Sequence, residues 1–345
     1  MDLFWTIFYR IATLSELKEL DLSGTKIDSA GSVVIENLES LEKLDMRTCN
    51  LTKSSFRIAT LSELKELDLS GTKIDSAGFV VIENLDSLEK LIMRTCNLTK
   101  SSFRIATLSE LKELDLSGTT IDSAGSVVIE NLDSLEKLDM RTCNLTKSSF
   151  RIAQMPNLEE LNLSHSKLDS ASPAVIENLD SLEKLELCFC QLTESPLRIA
   201  SLPNLKELNL SNSKMDCASS VLIENLASLK KLDMRCCKLT QSSLRIATIS
   251  KLKQLDLSGS EIEAAGSVVI ENLDSLEKLD MRTCNLTKSS FSRGAPLRPA
   301  ATAALGHLGV LASEFSGWSL RPSSNLLHPG LTGVLGCVEP AGEYG

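Results

Sequence analysis

The sequence predicts a solenoid built on a parallel β-sheet, and three observations lead to this fold class. The segment L-x-x-L-x-[LM] recurs twelve times, beginning at residues 17, 41, 64, 88, 111, 135, 158, 182, 205, 229, 252 and 276. The intervals alternate between 24 and 23 residues, so a 47-residue pair is used six times. Each segment also alternates leucine with polar residues. A fixed period of this length is typical of chains whose units bury their apolar faces only against neighbouring units.

The alternating run in each unit is predicted to form a short β-strand. We number the units 1–12 in chain order and count the first leucine of each as position 1. Positions 4 and 6 are apolar, so we expect their side chains to be buried and those at positions 3, 5 and 7 to face solvent. Identical units stack by translation, which makes the strands parallel. Twelve strands about 4.8 Å apart give a sheet about 55 Å long.

A longer pattern links the sequence to a known family. Each unit reads L-x-x-L-x-L-x-x-[TSC]-x-[ILM], as in Leu17, Leu20, Leu22, Thr25 and Ile27 of unit 1. This pattern resembles the leucine-rich repeat family over roughly residues 14–291. The resemblance implies a horseshoe with the parallel sheet on its concave side. The two-unit alternation and the phrase Cys-Asn-Leu-Thr at 49–52 are similar to the ribonuclease-inhibitor-like, cysteine-containing types of repeat.

The segments that return between strands are predicted to contain short helices on the convex side. In unit 1, Asp28 or Ser29 is a suitable N-cap for a helix ending near Asn37, and Thr52 is a candidate cap in unit 2. A unit of 23 or 24 residues leaves room for one or two helical turns, so we expect α or 3₁₀ pieces. The predicted fold class is therefore α/β: a leucine-rich repeat solenoid.

Position 9 holds a small hydroxyl or thiol in every unit. We expect each of these side chains to donate one hydrogen bond to a neighbouring carbonyl. Equivalent cysteines lie two strands apart, near 10 Å, which exceeds the Cα separation of about 7 Å that a disulfide tolerates. The cysteines are therefore predicted to be reduced and buried. They are Cys49, Cys96, Cys143, Cys190, Cys237 and Cys284.

The two ends of the sequence differ from the repeat. The run Arg-Ile-Ala-Thr-Leu at 10–14 matches 57–61, so residues 1–13 are predicted to be a partial repeat or an N-terminal cap. After Phe291 the repeat text stops, and residues 292–345 contain no Lys, Asp or Ile. We expect residues 14–291 to form the solenoid and residues 292–345 to form a disordered tail, with a capping segment as the alternative.

Composition excludes several classes of function. A net charge of −10 and an aromatic content of 4% argue against nucleic-acid binding, which favours a basic stripe and stacking platforms. No apolar run reaches the roughly 18 residues needed to span a membrane. Residues 1–9 lack the basic region and cleavage site of a signal peptide, so we expect a cytoplasmic, intracellular protein. Catalytic motifs and paired C-x₂-C spacing are absent, so no enzyme activity, metal or cofactor is predicted.

The predicted outward face carries rows of charge, which we call lanes after the repeat position. Lane three alternates glutamate with lysine from Glu19 to Lys231, and opposite charges on adjacent strands stabilise a sheet. We interpret that lane as structural. Lane five is mostly acidic, although stacked like charges destabilise a sheet and aspartate is a poor strand former. Lane seven alternates serine with arginine, except that Cys188 replaces the arginine of unit 8.

Lanes five and seven supply the candidate binding residues. One interpretation is that the arginines neutralise the acidic lane. The other is that the carboxylates form a surface for a partner protein with a basic surface. The candidates are Asp21, Asp45, Arg47, Asp68, Arg94, Asp115, Asp139, Arg141, Asp233, Arg235, Asp256, Asp280 and Arg282.

The sequence thus predicts a non-enzymatic scaffold that binds a protein on the concave face. Leucine-rich repeat proteins with an F-box suggest an alternative, the substrate-recognition subunit of a ubiquitin ligase. An extracellular recognition receptor is a third possibility, because Asn-Leu-Thr at Asn50 and its repeats matches a glycosylation sequon.

Overall fold

A computed structural model gives the architecture of the strand-bearing half of every unit. The structure describes residues 11, 13–25, 38–49, 61–72, 85–96, 108–119, 132–143, 155–166, 179–192, 202–215, 226–239, 249–262, 273 and 275–284. The convex helices predicted with caps at Asp28, Ser29 or Thr52 lie outside these residues, as does the tail at 292–345. The helical part of the predicted α/β class therefore stays a prediction.

Each unit contributes one three-residue strand, made of positions 3 to 5. The strands are β1 (Glu19–Asp21), β2 (Lys43–Asp45), β3 (Glu66–Asp68), β4 (Lys90–Ile92), β5 (Glu113–Asp115), β6 (Lys137–Asp139), β7 (Glu160–Asn162), β8 (Lys184–Glu186), β9 (Glu207–Asn209), β11 (Lys231–Asp233), β13 (Gln254–Asp256) and β15 (Lys278–Asp280). Three two-residue strands lie further along units 9–11: β10 (Lys214–Met215), β12 (Lys238–Leu239) and β14 (Glu261–Ile262).

The twelve longer strands form one parallel sheet in chain order, which confirms the prediction. Every strand pairs in register with its neighbour, so that Leu20 faces Leu44 and Asp21 faces Asp45. The three short strands form a second parallel sheet in the order β10-β12-β14. The in-register pairing places residues of the same repeat position side by side across the whole sheet. The lanes read from the sequence are therefore real rows of neighbouring residues.

The core is a continuous stack of leucine and methionine side chains from positions 1, 4 and 6. In unit 3, Leu64, Leu67 and Leu69 are fully buried. Position 6 is leucine in the odd units and methionine in most even units, as in Met46 and Met93. Removing one leucine side chain from water contributes about 2 kcal/mol. Because each unit packs on the next, this burial is repeated along the molecule rather than concentrated at one centre.

Position 9 forms a ladder of hydrogen bonds through the core, as predicted. Thr72 Oγ1 donates to the carbonyl of Met46 at 2.7 Å, and Cys96 Sγ donates to that of Leu69 at 3.3 Å. In each case the acceptor belongs to position 6 of the preceding unit. Burial raises the pKa of the Cys143 thiol to about 11 and that of Cys237 to about 12. These cysteines therefore stay protonated and act as neutral donors.

A left-handed residue at position 8 turns the chain out of each strand. We call this row lane eight; its φ lies between +53° and +71° in all twelve units. Glycine adopts this conformation without strain, and it fills the position at Gly24, Gly71, Gly118 and Gly259. The other eight units hold a residue with a side chain, including threonine, whose β-branch makes this conformation costly. The sequence analysis made no prediction for this position.

Candidate binding surface

The solvent-facing side of the main sheet is a charged surface with a shallow groove. The groove has a volume of about 250 Å³ and lies across units 4–8. Lanes three, five and seven supply its walls, among them Ile92, Arg94, Asp115, Lys137 and Glu186. The structure thus brings part of the predicted lane-five and lane-seven set together with lane three in one depression.

Lane three is a row of cross-strand ion pairs. Lys43 Nζ lies 3.0 Å from Glu66 Oε2, and Lys90 Nζ lies 3.0 Å from Glu113 Oε2. Lys137 also reaches Glu160, at 3.4 Å. These groups are largely exposed, so each pair contributes little to stability. The contacts agree with the structural interpretation of this lane.

A second row of ion pairs runs along position 2, which we call lane two. Glu42 pairs with Lys18 on one side and with Lys65 at 2.9 Å on the other. Hydrogen bonds from Lys18 and then Lys65 lower the pKa of Glu42 to about 2. The signs alternate through unit 6, and then lane two holds successive like charges. The later members are Glu136, Glu159 and Glu183 in units 6–8, followed by Lys206, Lys230 and Lys253 in units 9–11.

Lane five has a folding role that the sequence analysis missed. The carboxylate of Asp21 accepts the backbone N–H of Ser23 at 2.8 Å, and Asp45 accepts that of Arg47 at 3.0 Å. This Asx turn recurs in ten units, wherever lane five is aspartate or asparagine. The hydrogen bonds from Ser23 lower the pKa of Asp21. An Asp or Asn three residues before a left-handed Gly was the available signal.

The lane-seven arginines lie against the lane-five carboxylates. Arg47 Nη2 is 2.6 Å from Asp45 Oδ2, and its Nε is 3.8 Å from Asp68 on the next strand. The same pairing within one unit joins Arg141 to Asp139, Arg235 to Asp233 and Arg282 to Asp280. These contacts are the neutralisation that one of the two interpretations expected.

Unit 4 shows what happens when the aspartate is missing. Lane five holds Ile92 there, so Arg94 has no carboxylate on its own strand. Its Nε instead pairs with Asp115 Oδ2 of the following strand at 2.6 Å. Each candidate arginine thus has an aspartate partner. The arginine side chains lie further out than the carboxylates with which they pair: the Arg47 side chain is 52% exposed and that of Asp45 only 16%.

Units 7–9 depart from the repeat on this face. The rings of His165 and Phe189 stack with their centroids 4.4 Å apart and an interplanar angle of 12°. Phe189 is 52% exposed. The departures fall together in three lanes: Asn162, Glu186 and Asn209 in lane five, Cys188 in lane seven, and His165, Phe189 and Asn212 in lane eight. The sequence analysis noted Cys188 and missed the aromatic pair.

Comparison with known proteins agrees with the architecture. The model of the leucine-rich repeat region matches residues 8–284. The chain belongs to the leucine-rich repeat family. None of the curated proteins compared with it matches.

Several solved structures share the fold. A leucine-rich repeat protein of Leptospira interrogans is 25% identical with a TM-score of 0.58, covering 80% of this chain and 69% of its own. Mouse RP105, in complex with MD-1, is 21% identical with a TM-score of 0.52, covering 79% of this chain and 51% of its own. TLR13, in complex with ssRNA13, is 21% identical with a TM-score of 0.56, covering 79% and 45%.

The family assignment sets the general class of function. Leucine-rich repeat folds commonly mediate protein–protein interaction, and proteins of this family are typically non-enzymatic scaffolds. Among the residues that the structure describes, no cluster of His, Cys, Asp and Glu is arranged to hold a metal ion. Within the same residues no helix has the length and apolar character needed to cross a bilayer.

Proposed function

We propose that this leucine-rich repeat protein is a non-enzymatic scaffold that binds a protein partner on the concave face of its sheet. The observation that supports this most strongly is the contrast between the two sides of each strand. The inner side is uniformly apolar, while the outer side presents rows of mostly charged groups across twelve strands. A rigid polar surface of this kind suits an extended contact with another protein.

The preferred partner carries a basic surface. The chain has a net charge of −10, which attracts positively charged proteins over a distance of about one Debye length, near 8 Å at physiological salt. Resident arginines cover most lane-five carboxylates, so a basic partner must exchange its own cations for them. The energy gained by such an exchange is small, and the contact is expected to be sensitive to salt.

The test removes lane-five charge while keeping the turns. Asn162 and Asn209 accept the same backbone N–H as the aspartates, so asparagine preserves the local structure. A variant with Asp45, Asp68, Asp115 and Asp139 changed to Asn is expected to lose capture of its partner from cell extract, as measured by quantitative mass spectrometry. Circular dichroism checks that the variant is folded.

A matched control separates the binding face from net charge. Glu39, Glu63, Asp86 and Glu110 are exposed residues in the bends before the strands. Changing them to Gln or Asn also removes four negative charges, but at positions outside lane five. If both variants lose capture equally, net charge and not lane five governs binding. If both variants retain capture, lane five has no role in binding.

An intracellular location is part of this proposal. Its support is that buried ladder thiols such as Cys143 and Cys190 donate to carbonyls, a role that oxidation would end. Alkylation of the unfolded protein followed by intact-mass measurement is expected to label all ten cysteines. Oxidised ladder cysteines or a glycan on Asn50 would support the extracellular alternative instead.

A further inference from the structure

Unit 8 has no arginine where the other even units have one. Lane seven of the even units holds Arg47, Arg94, Arg141, Arg235 and Arg282, but Cys188 in unit 8. The lane-five carboxylate of that unit, Glu186, contacts Lys184 Nζ at 3.4 Å and Cys188 Sγ at 3.5 Å. Among the described residues no guanidinium pairs with it. Unit 8 therefore presents an acidic group without the planar cation that covers its counterparts.

An exposed aromatic ring belongs to the same unit as this carboxylate. Phe189 follows the missing arginine directly in the sequence, and His165 of unit 7 covers one face of its ring. The strand order places unit 9 on the other side, where Asn209 and Asn212 are neutral. Lanes five and eight of unit 9 thus hold amide groups and no charge. An aromatic face next to a carboxylate binds a cation better than either group alone, and arginine stacks on rings most readily.

The surrounding charge favours a basic segment. Lane two alternates in sign through units 1–5, but Glu136, Glu159 and Glu183 follow one another in units 6–8. Glu183 pairs with Lys206, whereas Glu136 and Glu159 have no ion pair within the described part of the chain. A peptide that crosses unit 8 from lane eight to lane two passes Glu186 and then Glu183, with Glu159 of unit 7 at the neighbouring position of lane two.

We propose that unit 8 is a docking site for an arginine side chain of a protein partner. The guanidinium pairs with Glu186 in the place of the missing lane-seven arginine and stacks on the ring of Phe189. The proposal rests on the proposed function, because it specifies the chemistry of the partner that the sheet binds. It also explains why the departures in lanes five, seven and eight occur together while the core positions of units 7–9 stay apolar and buried.

The first experiment uses a single arginine as the probe. An acetyl-Gly-Arg-Gly-amide peptide is titrated into the ¹⁵N-labelled full chain, and amide shifts are followed by NMR. We expect saturable shifts confined to units 7–9 with a Kd of about 1 mM. The matched lysine and citrulline peptides test the planar cation, and each is expected to bind at least about threefold more weakly.

Variants that restore the repeat close the site. C188R supplies the missing guanidinium from the chain itself and is expected to weaken binding of the arginine peptide by about tenfold or more. C188S is its control, since it removes the thiol without filling the position, and it should bind as the wild type does. F189T introduces the residue that most other even units hold in lane eight and is expected to weaken binding, whereas F189Y keeps the ring and retains binding.

Two results would overturn the proposal. One is the absence of any saturable shift at about 10 mM peptide, ten times the expected Kd. The other is binding that C188R and F189T leave unchanged. Capture of a partner that depends on lane five but not on these two variants would leave the proposed function standing without the arginine site. Conversely, peptide binding without any capture would count against the scaffold role alone.

Discussion

Units 6 and 8 have similar interiors and different exteriors. On the surface of unit 6, Asp139 forms an ion pair with Arg141. In unit 8, Glu186 instead contacts Cys188, and Phe189 is exposed. The buried residues correspond position by position: Leu135 with Leu182, Leu138 with Leu185, Met140 with Leu187 and Cys143 with Cys190. Because strand side chains alternate between faces, a solenoid can change its surface in one unit without altering its core.

The largest expected effect tests whether the two interiors are equivalent. Leu138→Ala and Leu185→Ala each remove a buried side chain from position 4 of unit 6 or unit 8. We expect each to lower the free energy of unfolding by about 3 kcal/mol, because the lost burial and the remaining cavity are alike. Urea unfolding followed by circular dichroism measures both.

Equivalence requires that the two losses agree within about 0.5 kcal/mol, the margin within which the effects of independent sites add. A much smaller loss in unit 8 would mean that its core is looser than that of unit 6. The surface of units 7–9 would then reflect local instability instead of a site.

A middle-sized effect is expected in lane eight. Thr142→Gly relieves a β-branched residue at φ +57° and should stabilise unit 6 by about 1 kcal/mol. Phe189→Gly relieves a similar strain at φ +57° but also removes the stack on His165, worth about 1 kcal/mol, so its net effect should be near zero. Thermal unfolding of the two variants gives the comparison.

The opposite substitution serves as the control. Gly118 has φ +68°, and a Cβ there would lie 3.0 Å from Thr95 Cγ2. Gly118→Ala is therefore expected to destabilise the protein by about 1–2 kcal/mol. A stable Gly118→Ala variant would show that the left-handed turn is not a constraint.

The smallest effect concerns lane two and pH. The ion pairs of Glu42 hold its pKa near 2, below the ordinary value of 4.5. Their contribution to stability is present above about pH 4.5 and is lost as the pH falls toward 2. Wild type should thus exceed Glu42→Gln in melting temperature at pH 6, and the difference should shrink to nothing near pH 2.

Glu136→Gln in unit 6 is the matched variant, because Glu136 has no ion pair among the described residues. Its melting temperature should follow that of the wild type across the same range of pH. A difference as large as that of Glu42→Gln would show that net charge, and not pairing, governs this lane.

Periodicity was enough to predict the sheet, its parallel order and the ladder at position 9. Because the repeats stack in register, residues at the same repeat position have the same surroundings. The position of Thr72 or Cys96 in its unit is therefore enough to predict the carbonyl to which it donates. The charge pairing of lane three followed from the same reasoning, since neighbours across the sheet are copies of one position.

Backbone conformation and single departures were harder to predict. The left-handed conformation at lane eight could be predicted at Gly118, because glycine adopts it readily. It could not be predicted at Thr142, because β-branched residues rarely adopt it. The Asx turn of Asp21 was obscured because aspartate was judged as a strand residue, whereas it ends the strand. The stack of His165 on Phe189 joins residues 24 positions apart, and only the register of the strands brings them together.

The ladder at position 9 also gives the molecule a direction of assembly. From unit 2 onward each hydroxyl or thiol donates to the unit before it, as Ser213 does to Leu187 and Cys237 to Leu210. During synthesis the acceptor carbonyl leaves the ribosome first, so each emerging unit finds its partner already in place. If the units fold in order from the amino end, each buried carbonyl receives its hydrogen bond when the next unit is added. A chain that stops after any unit leaves only the position-6 carbonyl of that unit without this donor.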